Sequence, residues 1–244
     1  MIMHITLKAI SALLSYPSEE LQQAVGEIAG ALADDARLPA ASIEALGPLL
    51  EELSKLDIYD LQERYVGLFD RSRSLSLNLF EHVHGESRER GGAMVELLET
   101  YRAAGFEPAT SELPDHLPVL LEFLAMRPLS EAQEVLEDAA HILEALRVRL
   151  ERRASPYGAV FAALLDFAGA GADDAAVAEL LAREEDDPDD LDALDAVWEE
   201  SEVTFGPDPN AGCPQLRDML AAMDTPINPA PDTAPGTAAP AAAE

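Results

Sequence analysis

The chain has 244 residues, 48% of them apolar, and carries 16 Lys and Arg against 47 Asp and Glu, a net charge of −31. A surface this acidic repels nucleic-acid phosphates and anionic lipid and draws basic partners, although the same excess would serve solubility or a salt-adapted proteome. One cysteine, Cys213, excludes an internal disulfide and a Cys-rich metal site, and no run reaches the roughly 18 apolar residues of a membrane span.

The start, Met-Ile-Met-His-Ile-Thr-Leu-Lys, lacks the basic and long apolar regions of a signal peptide, so a cytoplasmic location is expected. From there the apolar residues recur at helical period. Leu21, Val25, Ile28 and Leu32 share a face, with Ser18 as cap and Glu19 and Glu20 at the positive end. Ile43, Leu46, Leu50 and Leu53 make the next face. Asp57 caps a helix carrying Leu61, Tyr65, Leu68 and Phe69, and Asp70 to Ser74 reads as a loop.

The next stripe, Phe80, Val83, Ser87, Gly91, Met94, Leu98 and Tyr101, predicts one long helix that Gly105 ends. Pro114 suits the first turn of its successor, with Pro118 one turn further in. Ser130-Glu131-Ala132-Gln133 reads as a capping box with Leu129 as staple. It opens a helix bearing Val135, Leu136, Ala139, Leu143, Leu146 and Leu150. Pro156 starts another, with Val160, Phe161, Leu164 and Leu165, and Val177, Leu180 and Leu181 mark a short one. No alternating strand pattern stands out. The expectation is an all-α, single-domain bundle of about eight to ten helices over residues 1–223. It includes a last docked helix in the acidic run 184–202, and a Pro/Ala-rich disordered tail over 224–244 follows.

Chemistry-bearing residues are few. His82 and His84, flanked by Glu81, would project about 200° apart on a helix and could not share an ion. A metal site needs about three convergent ligands, so a small metal-dependent enzyme built on His82 and His84 is the lesser alternative. Glu112, Asp115 and His116 lack a nucleophile in a recognisable motif. The two carboxylates suit the positive end of a helix. Tyr65, Leu68, Phe69, Leu120, Phe123 and Leu124 fit either a core or the edges of an apolar groove. Such a groove, rimmed with acid, would take a basic amphipathic helix. No glycine-rich phosphate loop is present.

Several segments carry a family resemblance. Asn78 to Gly91 reads Asn-Leu-Phe-Glu-His-Val-His-Gly-Glu-Ser-Arg-Glu-Arg-Gly, and Glu112 to Leu124 reads Glu-Leu-Pro-Asp-His-Leu-Pro-Val-Leu-Leu-Glu-Phe-Leu. With Leu13 to Pro17, Tyr65 to Phe69 and Val203 to Gly206, they resemble the NarJ-type nitrate reductase molybdenum cofactor assembly chaperones over about residues 5–215. Relatives that serve other molybdoenzymes share a Glu-Pro-Asp-His loop; the extra Leu113 resembles the nitrate reductase branch.

The resemblance implies an all-α fold, no enzymatic activity and no permanently bound cofactor. It implies binding of the apo catalytic α subunit of nitrate reductase, including its N-terminal peptide, and support for molybdenum cofactor insertion before membrane docking. The residues expected to meet the partner are Tyr65, Phe69, Glu81, His82, His84, Glu112, Asp115, His116, Leu120 and Phe123. A chaperone of another molybdoenzyme and a general acidic scaffold for basic peptides are the competing readings. Neither nucleic acid nor stable membrane association is expected.

Overall fold

The structure, a computed structural model, describes residues 3–85, 88–169 and 171–183. The acidic run 184–202, the Val203–Gly206 segment, Cys213 and the tail all lie outside these residues. Among the described residues the protein is an all-α bundle of eleven α-helices. The one sheet-like pairing there is an isolated antiparallel bridge between Asn78 and His116.

Helix α1 (Ile5–Leu13) is the spine. Leu7, Ile10 and Leu13 are fully buried, and so is the polar Thr6. A helix apolar on nearly every side can only sit inside a bundle. Its buried polar groups find partners. Thr6 donates to Asp35 (2.5 Å), and the Ser11 hydroxyl donates to the Pro118 carbonyl (2.8 Å). The His4 N–H donates to the Ala125 carbonyl (2.8 Å).

Helix α2 (Glu19–Asp35) packs on α1 and on α3 (Ala40–Lys55). Ser18 accepts from the Leu21 N–H and Asp57 from the Tyr59 N–H, the two caps the sequence predicts. Helix α4 (Ile58–Tyr65) runs directly into a five-residue π-helix, Val66–Asp70. Its wider turn closes with the Arg71 N–H on the Val66 carbonyl at 3.0 Å. A 3₁₀ turn, Arg73–Leu75, occupies the predicted loop.

The expected long helix is two helices, α5 (Leu79–His84) and α6 (Arg88–Ala103). Gly85, at φ +54° and ψ −132°, breaks it in a conformation that glycine alone adopts without strain. Of the predicted stripe, Tyr101 is fully buried while Val83 and Gly91 are exposed. Ser87 lies outside the described residues. Gly105 follows α6 with φ +75°, as the sequence predicts.

Helix α7 starts later than expected and spans Leu117–Leu124. Pro118, not Pro114, takes the first turn, because Pro114 and Asp115 lie in a turn closed by the His116 N–H on the Leu113 carbonyl (3.0 Å) and His116 then bridges Asn78. Helix α8 (Leu129–Asp138) begins at Pro128, so Ser130 is a second-position residue rather than a cap. Glu131 binds Arg127 in a two-pronged pair (2.8 and 3.0 Å) instead of closing a capping box. The expected single helix through Leu150 bends at Ala139 (φ −85°, ψ −3°) into α9 (Ala140–Arg152). Helices α10 (Gly158–Ala168) and α11 (Asp174–Ala182) pack on α9, and α10 also meets α3 and α8.

Candidate functional site

The segment Glu112–His116 joins two parts of the bundle by backbone pairing. The Leu117 N–H donates to the Leu77 carbonyl (2.8 Å), and the Leu79 N–H donates to the Asp115 carbonyl (3.1 Å). The Asp115 carboxylate, 1% exposed, accepts from the Phe80 N–H at 3.0 Å. It therefore caps α5, 35 positions away, and not the helix that follows it. Below the loop, the Tyr101 hydroxyl donates to the Pro114 carbonyl (2.7 Å).

Two clefts flank this loop. The first, about 480 Å³, lies between the end of α1, the π-helix and α7. Asp70, Glu112 and Glu122 line it with His116, while Tyr16, Tyr65, Pro118 and Val119 supply apolar wall. Lys8 reaches Glu122 at 2.5 Å. Burial raises the Asp70 carboxyl above its usual range, the nearby Glu112 raises it further, and His116 opposes. His116 is shifted down by burial, against the pull of Glu112, Asp115 and Asp70. Two carboxylates that repel each other in a partly desolvated cleft favour an arriving cation.

The second cleft, about 280 Å³, is mostly apolar. Leu79, Phe80 and Val83 of α5 face Leu97, Leu120 and Ile142 across it, with Asp115, Asp138 and His141 as its polar members. Val83 is 51% exposed here, a large apolar side chain left in water. Burial raises the Asp115 carboxyl, the Phe80 N–H and Arg90 hold it down, and its Oδ1 has no hydrogen-bond partner among the described residues.

The residues singled out from sequence distribute around these clefts. Glu112 and His116 line the first, and Asp115 and Leu120 the second. Tyr65 edges the first cleft, but it is 4% exposed and its hydroxyl donates to the Leu14 carbonyl at 2.8 Å. Phe69 and Phe123 belong to aromatic clusters in the core, Phe69 against Tyr65 and Tyr157, Phe123 against Tyr101 and Phe106. His82 is buried, with Nε2 on the Ser76 carbonyl (2.8 Å), whereas His84 sits on the outer side of α5 against the Phe80 ring. Glu81 is half-buried in the first turn of α5. Among the described residues no group of three or more His, Cys, Asp or Glu could hold a metal ion, and no helix is long and apolar enough to cross a membrane. Sequence reasoning passed over Asp70, Glu122 and Tyr16. Asp70 read as loop punctuation, and nothing in a local pattern brings α1, the π-helix and α7 to one opening.

Comparison with known proteins decides the family. Residues 18–163 match the family described as nitrate reductase delta subunit. NarJ of Escherichia coli K12, a nitrate reductase molybdenum cofactor assembly chaperone, is 48% identical over 208 residues, covering 85% of this chain and 88% of NarJ. The chain belongs to the NarJ-type assembly chaperone family. The same figures hold for NarJ of strain O157:H7. Among solved structures, a candidate redox enzyme maturation protein from Archaeoglobus fulgidus superimposes with a TM-score of 0.50 at 26% identity, covering 67% of this chain and 91% of that one. Leu113 is 41% exposed in the loop that carries the Asp115 cap.

Proposed function

We propose that this protein is a dedicated assembly chaperone for the catalytic α subunit of a respiratory nitrate reductase. It binds the apo subunit, including its N-terminal peptide as a basic amphipathic helix, and supports molybdenum cofactor insertion before the enzyme docks on its membrane partner. The cofactor is the partner's cargo; this chain supplies binding only. Family membership supports the reading, and the observation that carries the peptide mode is the pair of clefts on either side of the Glu112–His116 loop.

The division of labour follows from their chemistry. The apolar cleft offers Phe80, Val83, Leu97 and Leu120 to the aliphatic face of a helix. Burial there supplies affinity at roughly 25 cal/mol per Å², less the cost of ordering the peptide. Asp70, Glu112 and Glu122 receive basic side chains in the acidic cleft. A net charge of −31 speeds encounter and sets orientation. Binding that favours the open apo subunit shifts its population toward the state that accepts cofactor, with no bond made or broken by the chaperone.

The test is titration calorimetry of the full chain with a synthetic peptide of the subunit's N-terminus, beside a scrambled peptide of equal charge. Saturable binding of the native order alone is the expected result. Equal binding of both would make the protein a general acidic scaffold. Binding of neither would leave only contacts with the body of the subunit.

A further inference from the structure

Helix α5 is too short to stand alone. Its six residues make under two turns, and a helix of that length gains too few bonds to offset the ordering of its backbone. Both of its ends are held from distant parts of the chain. At the first turn the Asp115 carboxylate takes the Phe80 N–H. At the last turn the Arg183 guanidinium donates from Nη1 to the His82 carbonyl at 2.6 Å, across 101 positions of sequence. The carbonyls of a last turn have no partner within their own helix and carry partial negative charge. A cation therefore suits that end as an anion suits the other.

Arg183 projects from a firmly seated element. Val177 and Leu180 of α11 are buried, and the Leu180 carbonyl accepts from the buried Arg149 at 2.5 Å. The other terminal nitrogen of Arg149 holds the Ser74 carbonyl at 2.7 Å, so the end of α11 is tied to the segment that leads into α5. The Arg183 side chain is 48% exposed and also forms a loose pair with Glu179 at 3.8 Å. Between the Asp115 and Arg183 fastenings lie Phe80 and Val83, which form the α5 wall of the apolar cleft, whereas Arg183 is not among the residues that line it.

We infer that Arg183 is a positioning residue for partner binding. It fastens the end of α5 and so holds Phe80 and Val83 where they receive the apolar face of a partner helix. The inference rests on the peptide reading above and adds a residue that acts through α5. Its sign separates it from charge steering. In a chain of net charge −31, removing a cation strengthens the long-range attraction for a basic peptide. Loss of the fastening acts the other way, because only the fraction of molecules with α5 in place binds.

Arg183→Ala is compared with the parent, as full chains, by hydrogen exchange and by titration with the subunit's N-terminal peptide. The amides of Val83 to Gly85 exchange faster in the variant, while those of α2 and α9 keep the parent's rates. Peptide affinity falls by roughly three- to tenfold. The melting temperature stays at the parent's, because Arg183 is exposed. Arg183→Lys, which keeps a charged donor, recovers part of both losses. Glu179→Gln, which removes only the loose pair, leaves both at the parent's values. Unchanged exchange in α5, or faster exchange with equal or tighter peptide binding, overturns the inference. A parent that binds no peptide would instead sink the peptide reading, and exchange in α5 alone would then decide whether Arg183 fastens the helix.

Discussion

Asp115 and His116 are neighbours in the chain and belong to different clefts. The Asp115 carboxylate turns inward to cap α5 beside the apolar cleft, while His116 turns toward Asp70 and Glu112 in the acidic one. A two-residue segment thus touches both surfaces that a partner helix would use. Asp115 lies in a turn that the His116 N–H closes on the Leu113 carbonyl (3.0 Å), and the chain becomes extended at His116 (φ −64°, ψ 119°), so the two side chains leave the loop toward different clefts.

The first expectation concerns that cap. Asp115→Ala removes the acceptor for the Phe80 N–H and destabilises the protein by about 1–3 kcal/mol, while Asp115→Asn, which keeps an acceptor, costs less. Urea unfolding of the three proteins measures it. An unchanged midpoint in the alanine variant would show that the bond contributes nothing. His116→Ala should leave the midpoint near the parent's, because its Nδ1 makes no hydrogen bond among the described residues.

A second contrast separates core from contact surface. Phe69→Ala empties a cluster shared with Tyr65 and Tyr157 and costs about 3–5 kcal/mol. Tyr65→Phe keeps the ring and loses the bond to the Leu14 carbonyl, for about 1 kcal/mol. If thermal melts rank the two in the reverse order, the packing described around Phe69 is wrong.

pH dependence follows from His82. Burial shifts its imidazole below the ordinary value, Arg149 and Arg183 push the same way, and the Ser76 carbonyl and Glu81 oppose. The unfolded chain therefore takes up the proton first, near pH 6.5. The stability His82 contributes is present above that pH and is lost as pH falls through and below it. Unfolding free energies at pH 7.5 and 5.5 should differ less in His82→Gln than in the parent. Using the difference cancels the easing of repulsion that acidification brings to so acidic a chain.

Glu112 is exposed at the mouth of the acidic cleft, so Glu112→Gln should leave stability unchanged. It should slow association with a basic peptide, and added salt should slow the parent more than the variant. Stopped-flow mixing across ionic strengths reads both effects. The Asp70 carboxyl, relieved of a like charge, should titrate lower in this variant, measurable by carbon-detected NMR.

Much of this architecture is written locally. Ser18 and Asp57 cap where a short polar side chain before an apolar run says they should, and Gly105 adopts its positive φ. The misplacements have different causes. Gly85 sits inside a continuous helical stripe and only its φ reveals the break. Pro114 has the pattern of a helix start, yet it sits in the Leu113–His116 turn, and the pairing of Asn78 with His116 delays the helix to Leu117. The acidic cleft was legible only in part. Glu112 and His116 lie in a recognisable motif, whereas Asp70 and Glu122 reach the same opening through helix packing that no spacing rule encodes.

The bonds that secure α1 have a consequence for synthesis on the ribosome. His4 is fastened to Ala125 and Ser11 to Pro118, so the first helix translated waits for the seventh before it can be enclosed. At about 5–20 residues per second that delay is on the order of 6–24 s. Throughout it Leu7, Ile10 and Leu13, which end fully buried, can have α2 beside them but not α7. Closure over so long a stretch of chain is slow compared with pairing between adjacent helices. A translation stall before Leu117 therefore leaves α1 covered on its α2 side alone, with its α7 side in water.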